Sequence, residues 1–438
     1  MQSSHTLDRL SVAFSDPHAV AHAGLILPAT LAEKLGLREL IDQHVRLGSA
    51  PGAANAGVKA MTLIYSALAG GDCIDDAALL GSGSTAAVLA QEVRAPSTLG
   101  TYLRSFTFGH ARQLDVVSRH LLARAWGAGA GPGSTPLTID IDSTICETYG
   151  LAKEGGSRFT YTHVRGYHPL LAVVAGTGEV LHTRLRGGPA NTVRGASNFT
   201  AETITRLRGA GASGQITLRA DSGFYAKKVV EVCRKRRVRF SITMPIHRRL
   251  KARFDALPEE AWTLIPYFLP GAGVAEISYT PFGKRGIPMR LIVRRTPPTP
   301  KSQLSLFTHY LYHAFICDRE GDTLALEADH RRHAEIENTI RDLKYGVGLN
   351  HLPSGKFAAN AAWMALQVLA HNLGLWVNRL GLRGAPLRMK TLRHRYLSFG
   401  GRLTHSARRL FLALPACWPW RQEFLVALTR LRSLPLLI

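Results

Sequence analysis

The chain has 438 residues, 46% hydrophobic and 19% charged, which fits a globular protein of about two to three core-sized units and not a disordered one. Its 54 Lys and Arg against 31 Asp and Glu leave a net charge of +23, an excess that disfavours a neutral sugar substrate and makes nucleic acid the expected partner. Five scattered cysteines without a CxxC pair argue against a zinc site or a disulfide framework, and the start of the chain lacks a basic-then-apolar leader.

Residues 1 to about 130 read as helical. Residues 25–45 carry apolar side chains at helical spacing with Gly36 as a break, and residues 58–69 form a second helix. In the stretch 95–126, Ser97 or Thr98 is placed to cap a short helix, with a longer one from about Ala111. Arg94, Arg104, Arg112 and Arg119 suit a helical DNA-binding unit as well as a scaffold with solvated cations. The Gly-rich run 127–135 reads as a linker.

Residues 137–144, LTIDIDST, alternate Leu137, Ile139 and Ile141 with Thr138, Asp140 and Asp142. Period two puts both Asp residues on one strand face, either as solvated acids of an edge strand or as a metal or acid–base site. Strands at 170–175 and 179–185 follow, joined at Gly176-Thr177-Gly178 in a hairpin pattern, then a helix near 201–208. Strand 215–220 ends at Asp221, helix 225–236 follows, and 239–243 is another strand: a mixed α/β order. Asp221 lies where open α/β sheets bind ligands, though an Asp there also serves as a helix cap.

From 244 to about 322 short strand-like runs (275–279, 289–294, 313–317) are separated by Pro and Gly, including Pro297–Pro300, and read as a β-rich insertion outside the α/β core. Helix dominates from 326 to 380; residues 358–380 are the most apolar long stretch, but Asn360, His371, Asn372 and Asn378 make them a packed helix and not a bilayer span. On the helix around Glu337, the residues His333, Glu337, Arg341 and Lys344 share a face, while Glu335 points elsewhere. The tail from 382 holds eleven Lys and Arg against one acid, Glu423, a candidate phosphate-binding surface.

Three contexts, IDST around Asp142, RADSGFY around Asp221 and a helical Glu337 followed seven residues later by Lys344, together resemble the DDE-type transposases of bacterial insertion sequences. The branch it resembles carries a Y-x2-R-x3-E-x6-K signature, and the similarity extends through APSTLGTYLRSF, RGYHPLLAVV and LPSGKFAANAAWMALQVLAHNL. Glu337 and Lys344 match the signature; His330 and His333 stand where it has Tyr and Arg. The resemblance implies a ribonuclease-H-like mixed sheet in an α/β protein, divided into a helical DNA-binding domain (1–130), the first part of the catalytic core (131–244), a β-rich insertion (245–325), the helical second part of the core (326–380) and a basic C-terminal region (381–438).

By the same resemblance, Asp142, Asp221 and Glu337 hold two Mg2+ or Mn2+ ions, with Asp140 the alternate first acid. DNA phosphates are expected at His330, His333, Arg341 and Lys344. The implied activity is metal-dependent cleavage and strand transfer at terminal inverted repeats. The implied setting is a homodimeric synaptic complex with element ends and target DNA, in the bacterial cytoplasm at the nucleoid, with no membrane. A family member that has lost catalysis and acts as a repressor, and a nuclease without strand transfer, are the alternatives.

Overall fold

Aliphatic runs too short for helices build the centre of the molecule. A computed structural model describes residues 7–150, 152–160, 162–283, 286–298, 310–406 and 409–437. Its core strands are β1 (Leu137–Ser143), β2 (Leu170–Val174), β3 (Val180–Arg184), β4 (Ile216–Ala220) and β5 (Arg239–Thr243). β1, β2 and β3 form an antiparallel meander, the β2–β3 turn using Gly176 and Gly178 at φ of 80° and 77°. β4 then pairs with β1, and β5 with β4, both in parallel. The spatial order β3-β2-β1-β4-β5 is that of a ribonuclease-H-like sheet. β2 and β4 are buried along their whole length, which is why they read as unbroken apolar stretches and not as alternation.

The segment expected to stand apart as an insertion continues this sheet. β6 (Thr263–Leu264), β7 (Gly273–Tyr279), β8 (Met289–Thr296) and β9 (Leu311–Cys317) form an antiparallel series, and β9 pairs with β5. A nine-stranded sheet results, β6-β7-β8-β9-β5-β4-β1-β2-β3. The physical reason is the open edge of β5: its unpaired amides and carbonyls are satisfied by Ser241, Ile242 and Thr243 pairing with Cys317, Ile316 and Phe315. Of the Pro-rich stretch, Thr299 and Pro300 lie outside the described residues.

Helices α1 (Ile26–Lys34) and α2 (Leu37–His44) meet at Gly36, whose φ of 59° ends the first and starts the second. After them come α3 (Ala56–Ala69), α4 (Pro96–Arg104) and α5 (Phe108–Ala125). α5 starts three residues before the sequence suggests, because Thr107 and His110 form a capping box. On the sheet side, α6 (Ala196–Gly209) packs on β3, and α7 (Lys227–Lys235) on β5. α8 (Thr323–Arg331) lies over β7 and β8, and α9 (Ile336–Gly346) along β1. A 3-10 turn, Arg332–Glu335, separates these two, so the expected single helix through 330–344 is interrupted there.

α10 (Phe357–Trp376) is buried on nearly every face and packs against α3, α4 and α5, while α11 (Arg421–Arg432) packs on α1. A helix without an exposed polar face belongs inside a core. One continuous cluster accordingly joins Leu25, Tyr65 and Leu121 to Ile139 and Leu218 of the sheet and to Trp363 and Leu431. The helices before residue 130 are therefore not a separately packed domain. The Gly-rich run is no free linker either, since Trp126–Ala130 continues α5 with both end residues buried. Polar contacts tie the same parts together: on α6, Glu202 meets His182 and Arg184 of β3 at 2.9 and 2.7 Å and Arg112 of α5 at 3.3 Å. Among the described residues no helix is long and apolar enough to cross a membrane.

The parallel register sets Asp140 of β1 directly beside Arg219 of β4. Each is only 1% exposed, and the guanidinium grips both carboxylate oxygens, at 2.7 and 2.8 Å. Its remaining nitrogen donates to the carbonyl of Asp329 at 2.6 Å and to that residue's carboxylate at 3.2 Å, fastening α8 to the strands. Removing one partner strands the other charge in the interior. Asp140→Ala should thus destabilise the fold by roughly 3–5 kcal/mol, read from urea unfolding. A loss under about 1 kcal/mol would mean that the pair adds nothing beyond an exposed one.

Candidate active site

Register also decides which acids meet. β1 and β4 last pair at Ile141 and Ala220, so the next residues, Asp142 and Asp221, stand at adjoining carboxyl ends of neighbouring strands. The Ser143 amide donates to Asp142 Oδ1 at 2.6 Å. Asp221 caps the turn Ser222–Phe224, accepting from the Gly223 amide at 3.0 Å, so it is a cap and a strand-end acid at once.

Glu337 lies in the first turn of α9 and is exposed. Two side chains, one from the turn before α9 and one from α9 itself, hold this segment against β1 on either side of Asp142: His333 Nε2 donates to the Ile141 carbonyl at 3.2 Å, and Lys344 Nζ to the Ile145 carbonyl at 2.7 Å. Burial raises the Asp142 carboxyl to about 6; the Ser143 amide and His333 oppose the rise, and Asp221 and Glu337 add to it. The Asp221 carboxyl is also raised by burial, against His333, the Gly223 amide and His168. Asp142 thus feels both other carboxylates, and three acids, all oxygen donors, are the donor set that suits a hard divalent cation. They are not drawn as close as 4.8 Å to one another; among the described residues that spacing is reached by Asp72, Cys73 and Asp76, far along the chain.

Two expected roles are corrected. Asp140, the alternate first acid, is buried at 1% exposure with both oxygens held by Arg219, so it serves a structural ion pair. His330 does not reach phosphate: it is 3% exposed, bonded through both ring nitrogens to Ser241 and Thr243, and stacked on Phe315 at 4.0 Å. Burial holds its pKa well below the ordinary value, so it stays neutral. Arg341 is exposed on α9 and bonded to Asn338. Of the neighbouring arginines, Arg332 is paired with Glu335 at 3.0 Å, and Arg331 lies over the ring of Phe268.

His168 was missed by sequence reasoning. Its Nδ1 donates to the Ala190 carbonyl at 3.0 Å, which leaves Nε2 to accept from the Ser143 hydroxyl at 2.9 Å, next to Asp142. Burial lowers its pKa, in keeping with a neutral ring. The signal was present in the run RGYHP, but nothing local to it marks His168 as a neighbour of Asp142.

The family model described as transposase DDE domain, group 1, matches residues 3–436, nearly the whole chain. The chain belongs to the DDE transposase family. No curated protein matches it in sequence. Among solved structures it is similar to a piggyBac transposase synaptic complex with hairpin DNA, seen by cryo-EM, at 12% identity and a TM-score of 0.44, covering 86% of this chain and 80% of that one.

Asp142 gives a test of the transposase that needs no DNA. Its folded pKa of about 6 lies above the ordinary 3.8, so between those values the folded chain keeps a proton that the unfolded chain has released. Stability is then highest at the acid end of that window and is lost as pH rises through 6. In EDTA the wild type should melt progressively lower from pH 4.5 to 7, and Asp142→Asn should flatten the decline. Mg2+ at pH 7.5 should raise the melting temperature of the wild type more than that of the variant. Equal slopes and equal Mg2+ responses in thermal melts would remove Asp142 from a charged cluster.

Proposed function

We propose that this transposase binds the terminal inverted repeats of an insertion sequence and cuts and rejoins DNA strands at a site made of Asp142, Asp221 and Glu337. The observation that carries the reading is the meeting of two strand-end acids under a segment held at His333 and Lys344 on both sides of Asp142. The three acids would hold two Mg2+ or Mn2+ ions. Such a pair, ~4 Å apart, activates the attacking hydroxyl and stabilises the leaving oxygen.

The chain's own groups orient the DNA. Lys344 has two donors left after Ile145, His333 offers Nδ1 as a donor only while the ring is protonated, and Arg341 faces solvent on the helix of Lys344; these are the phosphate contacts we assign. His168 and Ser143 hold the backbone beside Asp142 as positioning residues. Exposed Arg104 and Arg119 on the N-terminal helices would contribute to end recognition. In the tail, exposed Arg383, Arg388, Lys390, Arg402, Arg409, Arg421 and Arg432 would add non-specific contacts. Arg393 and Arg430 are instead bonded to internal carbonyls, and Arg408 lies outside the described residues. The working form is a homodimer joining two element ends, in the bacterial cytoplasm at the nucleoid.

Asp221→Ala should abolish cleavage of an end-bearing plasmid while leaving duplex affinity intact, because deleting a negative charge does not weaken phosphate contacts. Loss of both would make Asp221 structural. Products cut but never joined would favour a nuclease; binding to the ends with no cutting at all in Mg2+ or Mn2+ would favour a repressor, which His333 in place of the family's Arg makes a specific second reading.

His333 both supports α9 and faces the acids. His333→Ala should slow cleavage by about 10–100-fold, the usual loss for a group that orients metal ligands. His333→Arg should keep or raise the rate at pH 8, since Arg brings a permanent charge and further donors. Rates for all three proteins from pH 6 to 8 decide it: if wild type and His333→Ala cleave equally fast throughout, His333 is a bystander.

A further inference from the structure

At the end of the sheet away from the acids, the turn from α7 into β5 reads Arg234-Lys235-Arg236-Arg237-Val238-Arg239, five cations in six positions. A cleft of about 610 Å³ opens there, lined by Arg234, Arg237, Arg239, Arg290, Arg319 and Asp318 among others. Some of this charge is already matched. Arg290 pairs with Glu276 at 2.6 Å, Arg319 with Asp329, and Arg239 donates to the Asp318 carbonyl at 2.9 Å and reaches Glu320 at 3.4 Å. Arg236 donates to Thr205 at 2.8 Å. The side chains of Arg234, Lys235 and Arg237 are exposed, and make no hydrogen bond or ion pair among the described residues.

Helix chemistry accounts for Arg234 and Lys235, which lie in the last turn of α7, but not for Arg237. A cation in the last turn eases the helix dipole, but Arg237 and Arg239 lie beyond the end of α7. Arg237 is the more telling. The Val238 amide donates to the Cys233 carbonyl at 2.9 Å and the Arg237 amide to the Arg234 carbonyl at 3.1 Å, the two bonds of a Schellman ending. That motif puts Arg237 at φ 54°, where glycine is the favoured residue and a side chain is strained. This chain places an unpaired guanidinium there, at the mouth of a cationic cleft.

We propose that the cleft grips the phosphate backbone of duplex DNA at a second footprint, separate from the stretch held at the acids. Gln215 lines the cleft at the start of β4 and Asp221 follows its end, which puts the footprint roughly 20 Å from the acids at ~3.3 Å per strand residue. That the polyanion is DNA rests on the transposase reading; the cationic cleft does not.

The test uses the full chain in EDTA with a labelled 40-base-pair duplex of random sequence, titrated by fluorescence anisotropy between 50 and 200 mM salt. The variant Arg234→Ala/Lys235→Ala/Arg237→Gly should bind more weakly. Its slope of log K against log salt should be shallower by about 2 to 3, at ~0.9 per phosphate neutralised. Arg237→Gly alone should raise the melting temperature, by relieving the strained backbone, while lowering duplex affinity; this keeps the test open even if the triple variant folds poorly. Unchanged affinity and slope in a wild type that binds DNA, or a lower melting temperature for Arg237→Gly, overturns the second footprint and leaves the transposase reading standing. A wild type that binds no duplex at any salt overturns both.

Discussion

The buried pair between Asp140 and Arg219 fixes what the rest of the site depends on. A parallel strand pair can slip, and a slip of one residue would turn every side chain of β1 to the other face. Here the slip would separate a fully buried carboxylate from the guanidinium that holds both its oxygens. The locked register of Asp140 with Arg219 is the same register that brings Asp142 beside Asp221 two residues on. Because Arg219 also holds Asp329, it sets where α8 ends and hence where the chain toward Glu337 begins. An internal ion pair of this sort is weak support for stability; its contribution here is alignment.

The third acid is aligned differently. Glu337 is exposed and nothing packs it into place. Its position follows from the helix that carries it, which is tied to β1 by Lys344 at the Ile145 carbonyl and, through the turn before it, by His333 at the Ile141 carbonyl. The Ile145 carbonyl lies just past the end of β1, whereas Ile141 is still paired with Ala172 and Ala220. Two of the acids are thus placed by strand pairing and the third by a helix.

What could be read from the sequence was local. β5 and the turn at Gly176 and Gly178 follow directly from apolar runs and turn residues, and Gly36 from its break in helical spacing. What could not be read was pairing between distant segments. Asp140 and Asp142 share a strand face and look alike in sequence; only Arg219, 79 residues beyond Asp140, tells them apart. His330 and His333 look equally suited to phosphate until Ser241 and Thr243 enclose the first. The β-rich segment read as separate because nothing within 311–317 announces that β5 has an open edge. The shared core was partly legible: α10 is mostly apolar, and such a helix must be surrounded by something. The N-terminal helices are what surrounds it.

Charge organises the molecule on two length scales. At long range the excess of +23 attracts a polyanion, and salt screens that attraction beyond about 10 Å. At short range Asp221 and Glu337 raise the cost of ionising Asp142. His333 offsets part of that repulsion but stands behind the acids, bonded to β1. A phosphate can therefore be held by the surface cations without being admitted to the acids, and cations between carboxylates and phosphate would reverse the local sign. An anion held by the surface arginines and an anion brought to the acids would thus meet opposite local fields, the second set by Asp142 and Asp221 at the adjoining ends of β1 and β4.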